Sequence, residues 1–365
     1  MASKIGVAVV GTGFGQKVHI PGFQAHPRTE IVAVYHRNLE TAQAIAAAHQ
    51  IEHACDTIDA IVSLPQVEAV SISTPPFLHY SMAKVVLEAN KHLLLEKPTA
   101  LNVAEAKELS ELAQINRVAT SMNFEFRFVP AWQQFADLLA NHYVGQPRLI
   151  KIDWLVSSRA DAARPWNWYA QKDQGGGALG AIGSHMFDYV AWLFGDIDRL
   201  TARLSTAILD RPDPVTGTLK SVDSDDTCTL TLELSDKTLC QVCLSSVTAN
   251  GRGHWVEVYG DRGTLILGSD NQKDYVHGFK LWGAAIGQEL TQLEILDRFA
   301  FPRTFSDGRI APFIRVVDQW MLGIDRKETL PPSLKEGVYS QLIMDLAHES
   351  NATGTWVNVP KGYLL

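Results

Sequence analysis

Long apolar runs and an excess of basic residues are both missing from this sequence. None of its apolar stretches approaches the roughly 18 consecutive residues that a membrane-spanning helix needs. Its 32 lysines and arginines face 40 aspartates and glutamates, a net charge of −8, which argues against nucleic acid or an anionic membrane as a partner. The first residues lead straight into an apolar pattern without the features of a signal peptide, so we expect a cytoplasmic protein.

Cysteine is scarce, with four in 365 residues. Cys240 and Cys243 have C-x-x-C spacing, but they lie in a segment that alternates apolar and polar residues like a β-strand. A separation of three places their side chains on opposite faces of a strand, and no second cysteine pair completes a zinc site. We therefore predict reduced, structural cysteines and no metal site.

The length and the residue pattern predict two domains. Over residues 1–125, five short apolar strands alternate with helical segments, which predicts an α/β domain with a doubly wound parallel sheet. Residues 126–365 are expected to form an α+β domain with a large, mostly antiparallel open sheet, because alternating segments joined by short turns dominate beyond Asp196. An uncovered face of such a sheet favours burial against a second copy, so we expect a homodimer or homotetramer.

A glycine-rich turn follows the first predicted strand, Ile5–Val10, and leads into a helical segment expected to end at Pro21. Glycines in this position permit a tight turn and a close approach of the backbone to a pyrophosphate at the helix N-terminus. The third small residue of this pattern falls at Gln16, and Gly15 is the residue that could supply the missing room. The predicted cofactor contacts are Gly11, Thr12, Gly13, Phe14 and Gly15.

The end of the second predicted strand, Glu30–Tyr35, is where the adenosine ribose of a dinucleotide is read. A carboxylate there would bind the 2′-hydroxyl of NAD, whereas a cation accommodates the 2′-phosphate of NADP. The strand is followed by His36 and Arg37, without a carboxylate, which favours NADP(H) while leaving NAD(H) possible. Alternatively, Arg37 faces solvent and pairs with Glu40.

The segment His92–Pro98 reads H-L-L-L-E-K-P. Three consecutive leucines predict a strand buried on both faces. Ligands bind at the carboxyl ends of the strands of a parallel sheet, so a strand that delivers Lys97 to this edge places it against a ligand. The alternative is that Glu96 and Lys97 form a solvated strand end.

Another strand end, at Ser73 and Thr74, carries small side chains that leave space for a cofactor. Pro75 and Pro76 then force a rigid turn before a helix that begins near His79. From the residues alone, His79 is either a ligand contact or an ordinary residue of the helix start.

Five motifs in order along the chain resemble those of the Gfo/Idh/MocA (glucose–fructose oxidoreductase/inositol 2-dehydrogenase) family. They are G-T-G-F-G, S-T-P-P-F-L-H (Ser73–His79), E-K-P (Glu96–Pro98), N-F-E-F-R-F (Asn123–Phe128) and G-G-G-A-L-G-A-I-G-S-H-M-F-D (Gly175–Asp188). The resemblance implies a Rossmann domain followed by a substrate-binding and oligomerisation domain, and NAD(P)-dependent chemistry at a hydroxyl-bearing carbon of a sugar, cyclitol or related polyol.

The resemblance also implies roles for individual residues. It implies a cis bond before Pro98 and catalytic roles for Lys97 and for His185 as general acid/base. The implied cofactor contacts include Ser73, Thr74, Pro75, His79, Glu96, Lys97 and Asn123, and the implied substrate contacts include Lys97, Arg127 and His185.

Two features of the predicted second domain bear on the substrate. Trp166 and Trp168 lie in an aromatic-rich segment that we interpret as a loop over a sugar pocket; a packed domain interface is the alternative. Many members of the family carry an aspartate four residues before the histidine, where this chain has Ala181. Asp188 could partly substitute for that carboxylate, or could anchor its helix.

Three functions are therefore compatible with the sequence. The first is an NAD(P)-dependent oxidoreductase acting on CH–OH groups. The second is a glycosidase or lyase in which a tightly held NAD cycles without net redox change. The third is a non-catalytic cofactor-binding sensor or scaffold, which the alanine at position 181 would favour.

Overall fold

A computed structural model describes residues 3–271 and 276–363 of the chain. By their contacts the residues divide into two compact units. The first unit contains Met1–Glu125 together with Arg303–Gln341, and the second contains Phe126–Pro302 together with Leu342–Leu365.

The first unit is built on a six-stranded parallel sheet with the strand order β3-β2-β1-β4-β5-β6. This is the strand order of dinucleotide-binding sheets, and it confirms the predicted doubly wound α/β class. The strands are β1 (Ile5–Val10), β2 (Thr29–Tyr35), β3 (His53–Cys55), β4 (Ala69–Ile72), β5 (His92–Leu95) and β6 (Thr120–Met122).

Helices connect these strands and bury apolar side chains against the sheet. Three of them begin at side-chain caps, since Asn38, Thr57 and Asn102 each accept a hydrogen bond from the backbone three residues on. The helices are α1 (Ile20–Ala25), α2 (Leu39–His49), α3 (Ile58–Ser63), α4 (His79–Glu88) and α5 (Val103–Ile115).

The first helical segment differs from the prediction in two ways. It opens with a π-turn over Gly15–His19, and it continues past Pro21 to the end of α1. Pro21 lies in the first turn of α1, directly after the π-turn, and its fixed φ angle suits a helix. The proline is therefore inside the helix rather than at its end.

The second unit contains a nine-stranded sheet with the order β16-β15-β14-β13-β7-β12-β11-β8-β17. All of its pairings are antiparallel except that of β7 with β12, which confirms the predicted large, mostly antiparallel sheet. Its strands are β7 (Pro147–Leu155), β8 (Ile197–Ser205), β11 (Thr227–Leu234), β12 (Leu239–Ser245), β13 (Gly253–Gly260), β14 (Gly263–Ser269), β15 (Lys280–Ala285), β16 (Thr291–Leu293) and β17 (Val357–Asn358).

A separate hairpin pairs β9 (Asp210–Pro212) with β10 (Leu219–Ser221). Within the second unit, α6 (Pro130–Ala140) and α7 (Ser184–Phe194) are rich in buried aromatic residues. The remaining helices are α8 (Ile310–Arg326) and α9 (Leu334–Thr353). No helix in the described part of the chain is both long and apolar enough to cross a membrane.

Candidate active site

The glycine turn after β1 is closely packed against the end of β4. Gly11 has a φ of +107°, and a Cβ there would lie 2.7 Å from the backbone of Ser73. A Cβ on Gly15 would lie 2.5 Å from Ser73 Oγ, whereas nothing lies within 4 Å of the Cβ position of Gly13. Gly15 therefore allows the close helix–strand packing in this turn, and Gly13 borders open space.

The π-turn that starts at Gly15 follows the aromatic residue Phe14. The ring of Phe14 lies edge-on to His19 at 5.5 Å, and the guanidinium of Arg309 lies 5.0 Å from its centre. Thr12 is half-buried next to the exposed Gly13. All five predicted residues of the turn thus lie at the carboxyl end of β1.

The end of β2 is exposed beyond His36. Arg37 is exposed, and no ion pair joins it to Glu40, although the structure describes both residues. His36 Nδ1 accepts a hydrogen bond from the backbone N–H of Asn38 at 3.1 Å, and Asn38 caps α2. The guanidinium of Arg37 is therefore available to a ligand at this strand end.

The loop after β4 is tied to the loop after β5 by His79. Its Nδ1 lies 2.7 Å from the carbonyl oxygen of Pro98 and its Nε2 lies 2.8 Å from that of Thr74. The imidazole is fully buried, and this burial lowers its pKa even though both carbonyls favour the protonated ring. His79 therefore fixes the backbone of Thr74 relative to that of Pro98.

A buried polar network lies at the carboxyl end of β5. Glu96 Oε1 lies 3.1 Å from His19 Nε2 and accepts a hydrogen bond of 2.6 Å from the Asn123 amide. His19 Nδ1 lies 2.8 Å from Ser71 Oγ, and its ring stacks on Phe313 at 4.3 Å. The alternative that Glu96 lies at a solvated strand end is therefore wrong, because the residue is only 7% exposed.

This network explains the protonation state of Glu96. Burial raises the pKa of its carboxyl, but the hydrogen bond from His19, the nearby charge of Lys97 and the hydrogen bond from Asn123 outweigh burial, so the pKa is below the ordinary value. Sequence reasoning missed His19. Its position in Val18-His19-Ile20, an apolar setting directly after the glycine turn, is the signal that could have found it.

Lys97 follows Glu96, and the bond from Lys97 to Pro98 is cis. Burial lowers the pKa of the Lys97 ammonium, while the negative charges of Glu96 and Glu125 oppose that shift. A cation that is poorly solvated and close to two carboxylates can donate hydrogen bonds to an oxygen that develops negative charge.

His185 lies in an aromatic environment of the second unit. Its ring is edge-on to Phe126 at 5.0 Å and tilted against Trp154 at 6.3 Å, and it is 6% exposed. It is the second residue of α7, which follows a π-turn over Leu179–Gly183. The helical segment from Leu179 to Phe194 thus has two geometries, a π-turn followed by α7.

Arg127 and Asp188 form a buried ion pair. The guanidinium nitrogens of Arg127 lie 2.6 and 2.9 Å from the two carboxylate oxygens of Asp188, which is the bidentate geometry of a strong pair. Asp188 thereby anchors α7, which favours the anchoring interpretation over the substitution of the missing carboxylate. Ala181 lies inside the π-turn that precedes His185.

The two predicted substrate-contacting tryptophans lie in the loop before the glycine run at 175–177. Trp166 donates its indole N–H to the Ser221 carbonyl at 3.0 Å, and Lys220 lies 4.6 Å from the centre of its ring. Trp168 lies edge-on to Tyr169 at 5.7 Å. Both tryptophans are half-buried.

Several features of the first unit fit a dinucleotide. Open space borders Gly13, where a pyrophosphate would approach the backbone. Thr74 Oγ1 and Asn123 Oδ1 are buried and lack a hydrogen-bond partner among the described residues, so both are free to bind polar groups of a ligand. Within the described part of the chain, no group of three or more His, Cys, Asp or Glu side chains is arranged to hold a metal ion.

Comparison with known proteins agrees with this geometry. Residues 5–124 match the model of the NAD-binding Rossmann fold of an oxidoreductase family, Gfo/Idh/MocA. Residues 136–359 match the model of the same family's C-terminal alpha/beta domain. Both matches together cover most of the chain, and they confirm the resemblance inferred from the motifs.

Individual relatives match this chain over nearly its full length. The chain is 51% identical over 355 residues to an uncharacterized oxidoreductase of Synechocystis sp., with 97% of this chain and 96% of the relative covered. It is 24% identical over 406 residues to levoglucosan dehydrogenase of Pseudarthrobacter phenanthrenivorans, with 98% of each covered. The solved structure of levoglucosan dehydrogenase with NADH and levoglucosan has a TM-score of 0.89 at 24% identity, covering 98% of this chain and 100% of that one. This chain therefore belongs to the Gfo/Idh/MocA family of oxidoreductases.

Proposed function

We propose that this oxidoreductase transfers a hydride between NADP(H) and a hydroxyl or carbonyl carbon of a sugar, cyclitol or related polyol. The observation that carries the proposal is the half-buried Lys97 next to the buried Glu96 at the carboxyl end of β5. Relatives named as sugar dehydrogenases support the substrate class. The bound nicotinamide would supply the hydride acceptor or donor.

The residues of the chain would supply binding and proton transfer. We assign the pyrophosphate to the turn at Gly11–Gly15, and polar cofactor groups to Thr74 and Asn123. Lys97 stabilises negative charge that develops on the substrate oxygen, because its ammonium is held in a poorly solvated site. His185 exchanges the hydroxyl proton, since a ring nitrogen of imidazole can accept and return a proton.

The preference for NADP(H) rests on Arg37. Its guanidinium is exposed at the end of β2 and has no carboxylate partner among the described residues, and a guanidinium binds phosphate by a planar pair of N–H donors. NAD(H) is the alternative, and one relative, levoglucosan dehydrogenase, has been solved with NADH.

The cofactor assignment is tested by fluorescence titration of the cofactor-stripped protein with NADPH and NADH. We expect tighter binding of NADPH, and a loss of about tenfold or more for NADPH alone in Arg37→Gln, because one charge-assisted contact to phosphate is removed. Arg203→Gln, an exposed arginine of β8, is the matched control. Tighter binding of NADH would overturn the NADP preference and leave the oxidoreductase assignment intact.

The catalytic assignment is tested by turnover on a panel of sugars and polyols, followed by absorbance of the reduced cofactor. We expect Lys97→Ala and His185→Ala each to lower kcat by about a hundredfold or more. Turnover that persists in Lys97→Ala would contradict the proposed role of this ammonium.

A second candidate, a non-catalytic cofactor-binding sensor, is motivated by Ala181, where many family members carry a carboxylate. Cofactor binding without turnover on any polyol or carbonyl compound of the panel would favour it.

We also propose that the oligomer forms through the outer face of the nine-stranded sheet. That face carries the stacked pair Trp255 and Trp282 beside an ion pair of Lys151 with Asp153, and light scattering would give the stoichiometry.

A further inference from the structure

Three arginines surround the loop that follows β7 in the second unit. Arg211, on β9, is only 7% exposed. Its two terminal guanidinium nitrogens donate hydrogen bonds of 2.7 Å to the carbonyl oxygens of Asp161 and Arg159. Arg211 therefore holds the backbone of this loop in place through hydrogen bonds from both of its terminal nitrogens.

Arg159 projects from the held loop and lies over an aromatic ring. Its guanidinium carbon is 3.9 Å from the centre of the Tyr169 ring. Stacking of this kind leaves the edge of the guanidinium, with its N–H donors, open to a ligand in the ring plane.

Two of the three arginines lack an ion pair. Within the described ranges, neither Arg159 nor Arg164 pairs with a carboxylate, whereas the nearby carboxylates of Asp161 and Asp226 act on Arg211. Burial lowers the pKa of Arg159, and the charges of Arg164 and Arg211 push it in the same direction. The half-buried Arg159 and the exposed Arg164 are therefore two neighbouring cations that repel each other.

The cluster is connected by hydrogen bonds to the start of the helix that carries His185. The carbonyl oxygen of Tyr169 accepts a hydrogen bond of 3.1 Å from the N–H of Gly177, which opens the segment leading to that helix. The N–H of Arg159 donates to the carbonyl of Ser246 at 2.8 Å, directly after β12. The bond from Gly177 thus ties the residue whose ring lies under Arg159 to the segment that leads to α7.

We propose that Arg159 and Arg164 form a subsite for an anionic group, a carboxylate or a phosphate, on the sugar substrate. Arg211 is a positioning residue that holds their loop. A guanidinium binds both anions through two parallel N–H donors, and the charge-neutralising partner that Arg159 and Arg164 lack is then the substrate itself. The inference rests on the proposed function, because it specifies the substrate class of the same site.

The test is calorimetric titration of the intact protein, saturated with NADP+, with three probes: D-glucuronate, D-glucose 6-phosphate and D-glucose. We expect at least one anionic sugar to bind more tightly than glucose. The affinities for glucuronate and for glucose 6-phosphate then show whether a carboxylate or a phosphate is preferred. Arg159→Gln and Arg164→Gln should each weaken that binding by about tenfold or more, and leave binding of glucose unchanged. Arg203→Gln is the control for a general loss of positive charge.

Arg164 is exposed, so its variant tests the proposal even if the partly buried Arg159 variant folds poorly. Equal affinity for glucose and both anionic sugars, or unchanged anion affinity in Arg164→Gln and Arg159→Gln, would overturn the subsite. Binding does not depend on turnover, so the two proposals fail separately. Arginine-dependent anion binding without redox turnover removes the proposed activity and keeps the subsite, whereas redox turnover of polyols together with anion affinity that is unchanged in both variants does the reverse.

Discussion

His254 makes the second unit sensitive to acid. Its ring stacks on Trp154 at 3.9 Å, and its Nε2 lies 3.0 Å from the hydroxyl oxygen of Tyr189. Nδ1 is buried and has no hydrogen-bond partner among the described residues. Burial lowers the pKa of this imidazole to about 3, because a second N–H and a positive charge would have to be placed among aromatic rings.

The size of the effect follows from the difference between the folded and unfolded states. An unfolded histidine titrates near about 6.5, so between that pH and about 3 the unfolded chain binds a proton that the folded chain does not. Stability therefore rises with pH in this window and is lost as pH falls through it. Between pH 8 and pH 5 the loss from this one residue is on the order of 2 kcal/mol.

Urea denaturation followed by tryptophan fluorescence measures this loss at the two pH values. We expect the unfolding free energy of His254→Gln and of His254→Phe to fall less from pH 8 to pH 5 than that of the unmodified protein, whatever the absolute stability of each variant. His142→Asn, which changes an exposed histidine, should retain the full drop. If the His254 variants lose as much stability on acidification as the unmodified protein, the assignment to His254 is refuted.

Two other substitutions test packing close to the proposed site. Gly15→Ala should lower the unfolding free energy by about 1–3 kcal/mol, because the new Cβ would lie 2.5 Å from Ser73 Oγ. Adding Ser73→Ala should recover much of that loss in a double-mutant cycle, and strictly additive effects would contradict the clash. Asp188→Asn removes the negative charge from a buried pair with Arg127 and should cost about 3 kcal/mol or more by urea denaturation. An unchanged midpoint would show that this pair does not anchor α7.

Local patterns were sufficient for much of the fold. The bounds predicted for β1 are those observed, Ile5–Val10, because the segment has an unbroken strand pattern. The strand His53–Cys55 was missed, so that the first sheet has six strands rather than five. Three residues are too few to show a period, and their strand pairing comes from contacts with β2.

The candidate site likewise has a part that local sequence predicts and a part that it does not. The glycine turn and the lysine at the end of β5 are visible in the sequence because each depends on a few consecutive residues. The bond between His19 and Glu96 joins residues 77 positions apart, and that between Arg211 and Arg159 joins residues 52 apart. No local pattern encodes such contacts, since they depend on how the strands are ordered in space.

The π-turns at Gly15–His19 and Leu179–Gly183 have a consequence for reading related sequences. A π-turn holds one residue more than an α-turn, and each residue added to a helix rotates all later side chains by about 100° about the axis. A relative that lacks the extra residue before α7 would therefore present a different side of that helix, even with the same letters around His185. Alignment gaps in these two turns thus report a change of helical phase, which alters side-chain direction without any substitution.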